Sequence, residues 1–143
     1  MRKEKGFSLL ELLIVVAIIL IIATVAIPSL LRSRQVAHET SAVASLKTLN
    51  TAQISYTAIS NGTYGVMTEL INNGLVDSRF TSTISGYNYS FDIASNLRNF
   101  TVYATAVSSN EGRYDFTTAP DYVIRYTTVT SRAPNGLAGQ PVR

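Results

Sequence analysis

The chain has 143 residues and a formal net charge of +3, and 46% of its residues are hydrophobic. This length allows one small globular domain beside a long apolar segment. The absence of cysteine excludes disulfide staples and thiol chemistry, and it leaves the redox compartment open. The single histidine, His38, excludes a metal cluster built from several histidines, and we expect it to be a solvated helix residue.

Residues 1–6 read MRKEKG and form a short leader in which three bases outnumber one acid. Positive charge next to an apolar segment keeps that end of a chain on the cytoplasmic side of a membrane. We therefore expect the leader to face the cytoplasm.

An apolar segment follows over residues 7–31, and Thr24 is its only polar residue between positions 12 and 27. As a helix this segment is about 37 Å long, which is enough to cross a bilayer. Glu11 is its one ionisable residue. The aliphatic side chains contribute on the order of 6 kcal/mol to insertion, against roughly 3 kcal/mol for an acid at mid-helix. Glu11 can therefore insert, and a carboxylate in this setting indicates a function with a cationic partner.

Proteolysis between Gly6 and Phe7 would create such a partner. The new α-amine of Phe7 would lie just over one helical turn from Glu11, beside backbone N–H groups that also favour negative charge. In a stack of such helices, Glu11 could instead pair with the Phe7 amine of the next subunit. Both pairings are compatible with the sequence.

These residues resemble the signature of the type IV pilin and pseudopilin family. The matching positions are Gly6, Phe7, Ser8, the triplet Leu9-Leu10-Glu11, and Pro28 after the aliphatic run. The resemblance is close over residues 1 to about 35 and only architectural beyond. It implies that a membrane-embedded aspartic protease, the prepilin peptidase, removes the leader after Gly6 and methylates Phe7. It also implies that Glu11 neutralises the N-terminus of a neighbouring subunit during filament assembly.

The chain departs from this family at Leu20, where many members have a glycine. In assembled pili the helix commonly loosens between that glycine and the proline. Leucine is a strong helix former, whereas Pro28 removes one helical hydrogen bond and clashes one turn back. We therefore expect a kink at Pro28, and any melted segment in a filament should be short and close to it.

The apolar segment has two simpler interpretations. A secretory signal peptide also has a basic start and an apolar core, and Thr24-Val25-Ala26 resembles a weak cleavage site. A plain single-pass anchor is the other interpretation. Neither accounts for Gly6, Phe7 and Glu11 together.

Beyond Pro28 the sequence predicts that the helix restarts and becomes amphipathic. Apolar residues recur at helical spacing, namely Val36, Val43, Leu46, Leu49, Tyr56 and Ile59. Ser60-Asn61-Gly62 should end the helix, with Gly62 as a left-handed cap. A short helix over residues 66–73 should follow, stopped by Gly74. Tyr64 in this connection is either a lateral contact between subunits or an ordinary packed residue.

From Gly86 onward the hydrophobic period changes to two, which indicates strands. The alternation predicts antiparallel strands over residues 87–93 and 100–106, and a second pair over 114–118 and 122–130 that turns at Ala119-Pro120-Asp121. Residues 131–143 are rich in glycine and proline, so a loose tail, or one draped on the sheet, is expected rather than a strand. The fold class is α+β, with one long helix packed on about four antiparallel strands.

The remaining polar residues predict no chemistry. Glu111, Asp92, Asp115 and Asp121 form no recognisable calcium loop, although the major pseudopilins usually end in an acidic calcium-binding turn. From residue 60 onward six arginines are balanced by six acids, so binding to nucleic acid is not expected. We predict no cofactor, no metal and no enzymatic activity, and we assign most tyrosines and phenylalanines to core packing.

The combined prediction is a structural subunit of a type IV pilus. Residues 1–6 are a removable leader, residues 7–59 one long helix whose part 7–31 spans the membrane and later forms the filament core, and residues 60–143 a globular head. The expected partners are other copies of the chain, the prepilin peptidase, the assembly machinery of the inner membrane, and lipid before assembly. The precursor should reside in the cytoplasmic membrane and the mature form in an extracellular pilus that serves adhesion, motility or uptake.

Two rivals remain at this point. The first is a pseudopilin or minor pilin of a type II secretion or DNA-uptake system, which shares the same N-terminal logic. The second is a membrane-anchored enzyme or binding domain, and no catalytic group of residues in the sequence supports it.

Overall fold

The computed structural model describes residues 6–126 and 138–142. These residues form two α-helices, one 3-10 helix and five strands: α1 (Leu9–Ile59), α2 (Met67–Asn72), the 3-10 helix (Ser78–Thr81), β1 (Tyr87–Ile93), β2 (Phe100–Ala106), β3 (Phe116–Thr118), β4 (Arg125–Tyr126) and β5 (Gln140–Pro141). The fold class is α+β, as predicted.

The chain divides into two compact units, residues 1–33 and 34–143. In the first unit, α1 carries apolar side chains that are almost all exposed. The expected restart of the helix after Pro28 does not occur, because α1 includes Pro28 without interruption. A proline inside a helix removes one hydrogen bond, and the neighbouring turns can still maintain the helix around it.

The second unit has a core between the later part of α1 and the sheet. Leu46 and Leu49 are fully buried there, as the helical spacing predicts. Val36 and Ile59 are exposed, so the predicted apolar stripe is too long at both ends. Small side chains occupy two further core positions of α1: Ala42 and Ala52.

The sheet is an antiparallel meander in the order β1-β2-β3-β4-β5. The first two strands have the predicted bounds and pair along their full length, with Tyr89 opposite Ala104 and Phe91 opposite Val102. Alternation along β2 buries Phe100, Val102 and Ala104 on the helix side. The third strand is shorter than predicted and begins at Phe116.

A fifth strand contradicts the prediction for the end of the chain. Gln140 and Pro141 pair with Tyr126 and Arg125, and the Val142 N–H donates to the Ile124 carbonyl at 2.8 Å. Proline is tolerated here because β5 is an edge strand, on which one N–H needs no partner. The strand predicted over residues 122–130 begins only at Arg125. Its remaining part, residues 127–130, and the tail residues 131–137 lie outside the described residues.

The predicted helix ends are confirmed. The Gly62 N–H donates to the Thr57 carbonyl at 3.0 Å, and Gly62 has a left-handed backbone with φ of +81°. Gly74 follows the end of α2 and also has a left-handed backbone, with φ of +69°. The predicted turn before β4 is closed by a hydrogen bond from the Tyr122 N–H to the Ala119 carbonyl at 2.7 Å.

Candidate functional site

The start of α1 places the N-terminal signature. The Leu12 N–H donates to the Ser8 carbonyl at 3.2 Å, so the helix takes its first hydrogen bond from the residue just before Leu9. Glu11 lies in the first turn, where backbone N–H groups without helical partners favour a negative charge. Gly6 and Phe7 precede the helix, and the Phe7 side chain is 78% exposed.

The Glu11 carboxylate is exposed and has no hydrogen bond or ion pair within residues 6–126 and 138–142. A new chain end at Phe7 or another molecule could supply a cation for Glu11. The pairing of Glu11 with Phe7 stays a prediction.

The apolar segment of α1 has the properties of a membrane span. Its best 18-residue window has a mean hydropathy of 3.1 and no residue buried by the rest of the chain. Among the described residues, α1 is the one helix long and apolar enough to cross a membrane, judged by length and composition. A bilayer or neighbouring helices would cover these side chains.

Pro28 has no N–H to donate to the Thr24 carbonyl, which is its helical acceptor four residues earlier. The Thr24 hydroxyl donates to the Ile21 carbonyl at 2.7 Å, so it needs no hydrogen-bond acceptor outside the helix. Leu20 lies within uninterrupted helix. The turn before Pro28 therefore lacks one helical hydrogen bond, and its behaviour in a filament stays a prediction.

In the second unit, a polar cluster joins α1 to the loop between β2 and β3. Arg34 Nη2 contacts Glu111 Oε1 at 3.1 Å, and Gln35 Nε2 donates to the Ser109 carbonyl at 2.7 Å. His38 Nδ1 lies 2.8 Å from Glu111 Oε2, and its side chain is 19% exposed. The prediction that His38 is solvated is therefore wrong. Its partner is distant in the sequence, so helical spacing alone could not find this contact.

Glu39 completes this cluster. It is nearly buried, and its Oε1 accepts from the Arg113 backbone N–H at 2.8 Å and from Arg113 Nε at 3.4 Å. The hydrogen bond and charge of Glu39 raise the pKa of the Arg113 guanidinium. The loop before β3 is thus fixed to α1 by both side-chain and backbone bonds.

Two buried amide side chains of α1 tie it to the rest of the head. Gln53 Nε2 donates to the Gly65 carbonyl at 2.6 Å, and Gln53 Oε1 accepts from the Gly65 N–H at 3.1 Å. Asn50 Nδ2 donates to Thr118 Oγ1 at 3.0 Å and to the Tyr122 carbonyl at 3.3 Å. Neither residue was predicted from the sequence, although polar residues inside the predicted apolar stripe were a usable signal. They supply cross-links in a chain that has no cysteine.

Tyr64 is a packed residue, which agrees with the simpler of its two interpretations. Its ring lies 4.5 Å from the Phe100 ring, and its hydroxyl is 3.5 Å from the Tyr122 hydroxyl. Burial, together with the neighbouring Tyr64 hydroxyl, raises the pKa of Tyr122 to about 12. The Tyr122 hydroxyl therefore stays protonated at physiological pH.

Two acids of the head, Asp115 and Asp121, have separate hydrogen-bond partners. Asp115 is 5% exposed and accepts from the Ala106 N–H at 2.8 Å, and burial raises its pKa. Asp121 pairs with Arg125, which lowers the Asp121 pKa. Within the described residues, no three or more His, Asp or Glu side chains are grouped so that they could hold a metal ion.

An exposed apolar helix with one acid in its first turn, joined to a small helix-on-sheet head, defines a pilin-like subunit. A family profile for the prokaryotic N-terminal methylation motif matches residues 1–27. The chain is 37% identical over 136 residues to the type IV wide pilus major component PilA4 of Thermus thermophilus, across 94% of this chain and 97% of that protein. It is also 44% identical over 54 residues to the type IV major pilin protein PilA of Myxococcus xanthus, across 38% of this chain and 24% of that protein. The chain belongs to the type IV pilin family.

Proposed function

We propose that this protein is a structural subunit of a type IV pilus, in which many copies of the chain form one filament. The similarity to a major pilus component extends over 97% of that relative, so it includes the head as well as the signature. Both similar proteins are named as major components, which favours this function over that of a pseudopilin or minor pilin.

The proposed life of the subunit has two stages. The precursor spans the inner membrane through residues 7–31, with residues 1–6 facing the cytoplasm. A prepilin peptidase cuts after Gly6 and methylates the amine of Phe7. The assembly machinery then moves residues 7–59 from lipid into the filament, where neighbouring helices cover the apolar side chains, and residues 60–143 form the outer head.

Glu11 is the single residue that carries this mechanism. It is an acid at the start of an otherwise apolar helix, and it has no partner within the described part of the chain. In a filament core an unpaired charge would cost roughly 3 to 5 kcal/mol, so a subunit seated one step out of position is rejected. Pairing with the Phe7 amine of a neighbour would thus check the register of assembly.

The variant Glu11→Gln tests this function. It removes the charge but keeps the size, so we expect normal amounts of protein in the membrane and a loss of surface filaments of about tenfold or more. Electron microscopy and immunoblotting of sheared filaments measure the yield. Asp92→Asn is the matched control, because Asp92 is exposed on β1, and it should leave filaments unchanged. Normal piliation by Glu11→Gln would refute the proposed role.

A further inference from the structure

The uncharged part of the membrane segment, residues 12–31, is bracketed by two charges. Glu11 precedes it and Arg32 follows it, and every residue between them is uncharged. These about 20 residues make a helix about 30 Å long, which equals the thickness of the hydrocarbon core of a bilayer. Each charge can therefore lie at one boundary of the core when the helix stands upright.

Arg32 is free to bind a ligand. Its side chain is exposed and has no hydrogen bond or ion pair within residues 6–126 and 138–142. The next base, Arg34, is already bonded to Glu111. The adjacent Ser33 hydroxyl donates to the Ser29 carbonyl at 3.0 Å, so it does not compete for an anion beside Arg32.

Within residues 6–33, no acid lies near Arg32 along the helix. Glu11 is the only acid within residues 6–33, and it lies about 30 Å away along the helix. A lipid phosphate, by contrast, lies just outside the hydrocarbon core. A guanidinium presents a planar fork of donors that matches phosphate oxygens, and its apolar stem can extend along the helix into the headgroup layer.

We propose that Arg32 binds the phosphate group of a membrane lipid on the side opposite the leader. This contact and Glu11 at the other boundary fix the depth of the precursor before assembly. The inference rests on the membrane-spanning precursor of the proposed function.

The first experiment measures depth. The full precursor is placed in vesicles of phosphatidylethanolamine and phosphatidylglycerol with a fluorophore on Ala26→Cys, which is a unique label because the chain has no other cysteine. Lipids with quenchers at known depths locate the label. In Arg32→Leu the uncharged run becomes two residues longer, which is about 3 Å of helix, so we expect the label to move by about that distance. Arg32→Lys should keep the depth, as should Arg98→Leu on the exposed surface of the head.

The second experiment detects the contact itself. In the same vesicles, solid-state NMR measures dipolar coupling between labelled arginine guanidinium carbons and lipid phosphorus. All samples carry Arg2→Lys, because the leader would otherwise place a second guanidinium near the headgroups of the opposite leaflet. We expect a coupled guanidinium signal in this precursor, its loss when Arg32→Lys is added, and its retention when Arg98→Lys is added instead.

Three results would overturn the proposal while leaving the pilus function intact. They are an inserted precursor without phosphorus coupling, coupling that persists in Arg32→Lys, and a coupling to carboxylates of a second copy in place of lipid. A precursor that is absent from the membrane fraction would instead overturn the membrane stage of the proposed function as well.

Discussion

Asp115 shows how burial sets the charge balance of the head. An acid whose folded pKa is raised binds its proton more tightly when folded than when unfolded, so its contribution to stability increases as the pH falls through the folded pKa. At neutral pH the ionised carboxylate therefore stabilises the fold less than the protonated acid would. We expect Asp115→Asn to raise the free energy of unfolding at pH 7 by about 1 kcal/mol and to remove this pH dependence. Denaturant unfolding of the full chain in detergent micelles at several pH values measures the effect.

Asp121 provides the control with the opposite sign. Its folded pKa is lowered by Arg125, so its contribution is present above the unfolded pKa and is lost as the pH falls through the folded pKa. Asp121→Asn should therefore lower stability at neutral pH, by a few tenths of a kcal/mol for this partly exposed pair. Equal pH profiles of the two variants would contradict both assignments.

At the residue scale, the sequence predicted the role of a residue where the neighbouring positions in the chain point to that role. Glu11 stands out because its neighbours are all apolar, and Gly62 because it follows a helix. The contact of His38 with Glu111 was not predictable, since the two residues lie on different elements and only tertiary packing brings them together.

Among the secondary-structure elements, α1 depends on the Gln53 amide for its connection to the segment that follows it. In Gln53→Leu the N–H and carbonyl of Gly65 would be buried without partners, so we expect a loss of about 2 to 3 kcal/mol in the free energy of unfolding. Thr51→Ala is the control, because the exposed Thr51 hydroxyl bonds only within the helix, and it should change stability by about 0.5 kcal/mol or less. Equal losses in the free energy of unfolding in both variants would show that the hydrogen bonds of Gln53 to Gly65 do not stabilise the head.

The apolar part of α1 has its own prediction. Because Pro28 leaves the Thr24 carbonyl without its helical donor, we expect a filament to lose helix only in the turn before Pro28, with Leu20 still helical. Cryo-electron microscopy of purified filaments measures this directly. In Pro28→Ala the helix should be continuous, and coil around Leu20 in the unmodified filament would contradict the expectation.

The length of a strand decided whether its sequence pattern could predict it. Seven alternating residues were enough to predict β1 and β2 to the residue, because one face of each strand is apolar. A two-residue strand such as β5 carries no periodicity, and Pro141 argued against a strand although an edge position accepts it.

For the whole molecule, the proposed maturation depends on the residue before the cut. A bulky side chain in Gly6→Leu should block entry into the peptidase, so the protein should keep its leader and form no filaments. Intact-mass spectrometry would detect the retained MRKEKG. The unmodified chain is the control, and its mature form should begin at a methylated Phe7. An N-terminus at any other residue would refute the proposed cleavage site.

The two units were predictable in outline because each has a separate signal in the sequence. Hydropathy marks the apolar segment, and the change from helical to alternating period marks the head. The buried amides of Asn50 and Gln53 were not predictable as cross-links, since their partners Thr118 and Gly65 become neighbours only after folding.

Those two amides have a consequence for how the head matures. Hydrogen bonds of Asn50 and Gln53 form spontaneously as the chain collapses, whereas a disulfide needs an electron acceptor and an enzyme that shuffles wrong pairs. The head of this pilin can therefore reach its native state without oxidative catalysts. A reducing agent has no bond to break in it, so its melting temperature is independent of the surrounding redox potential.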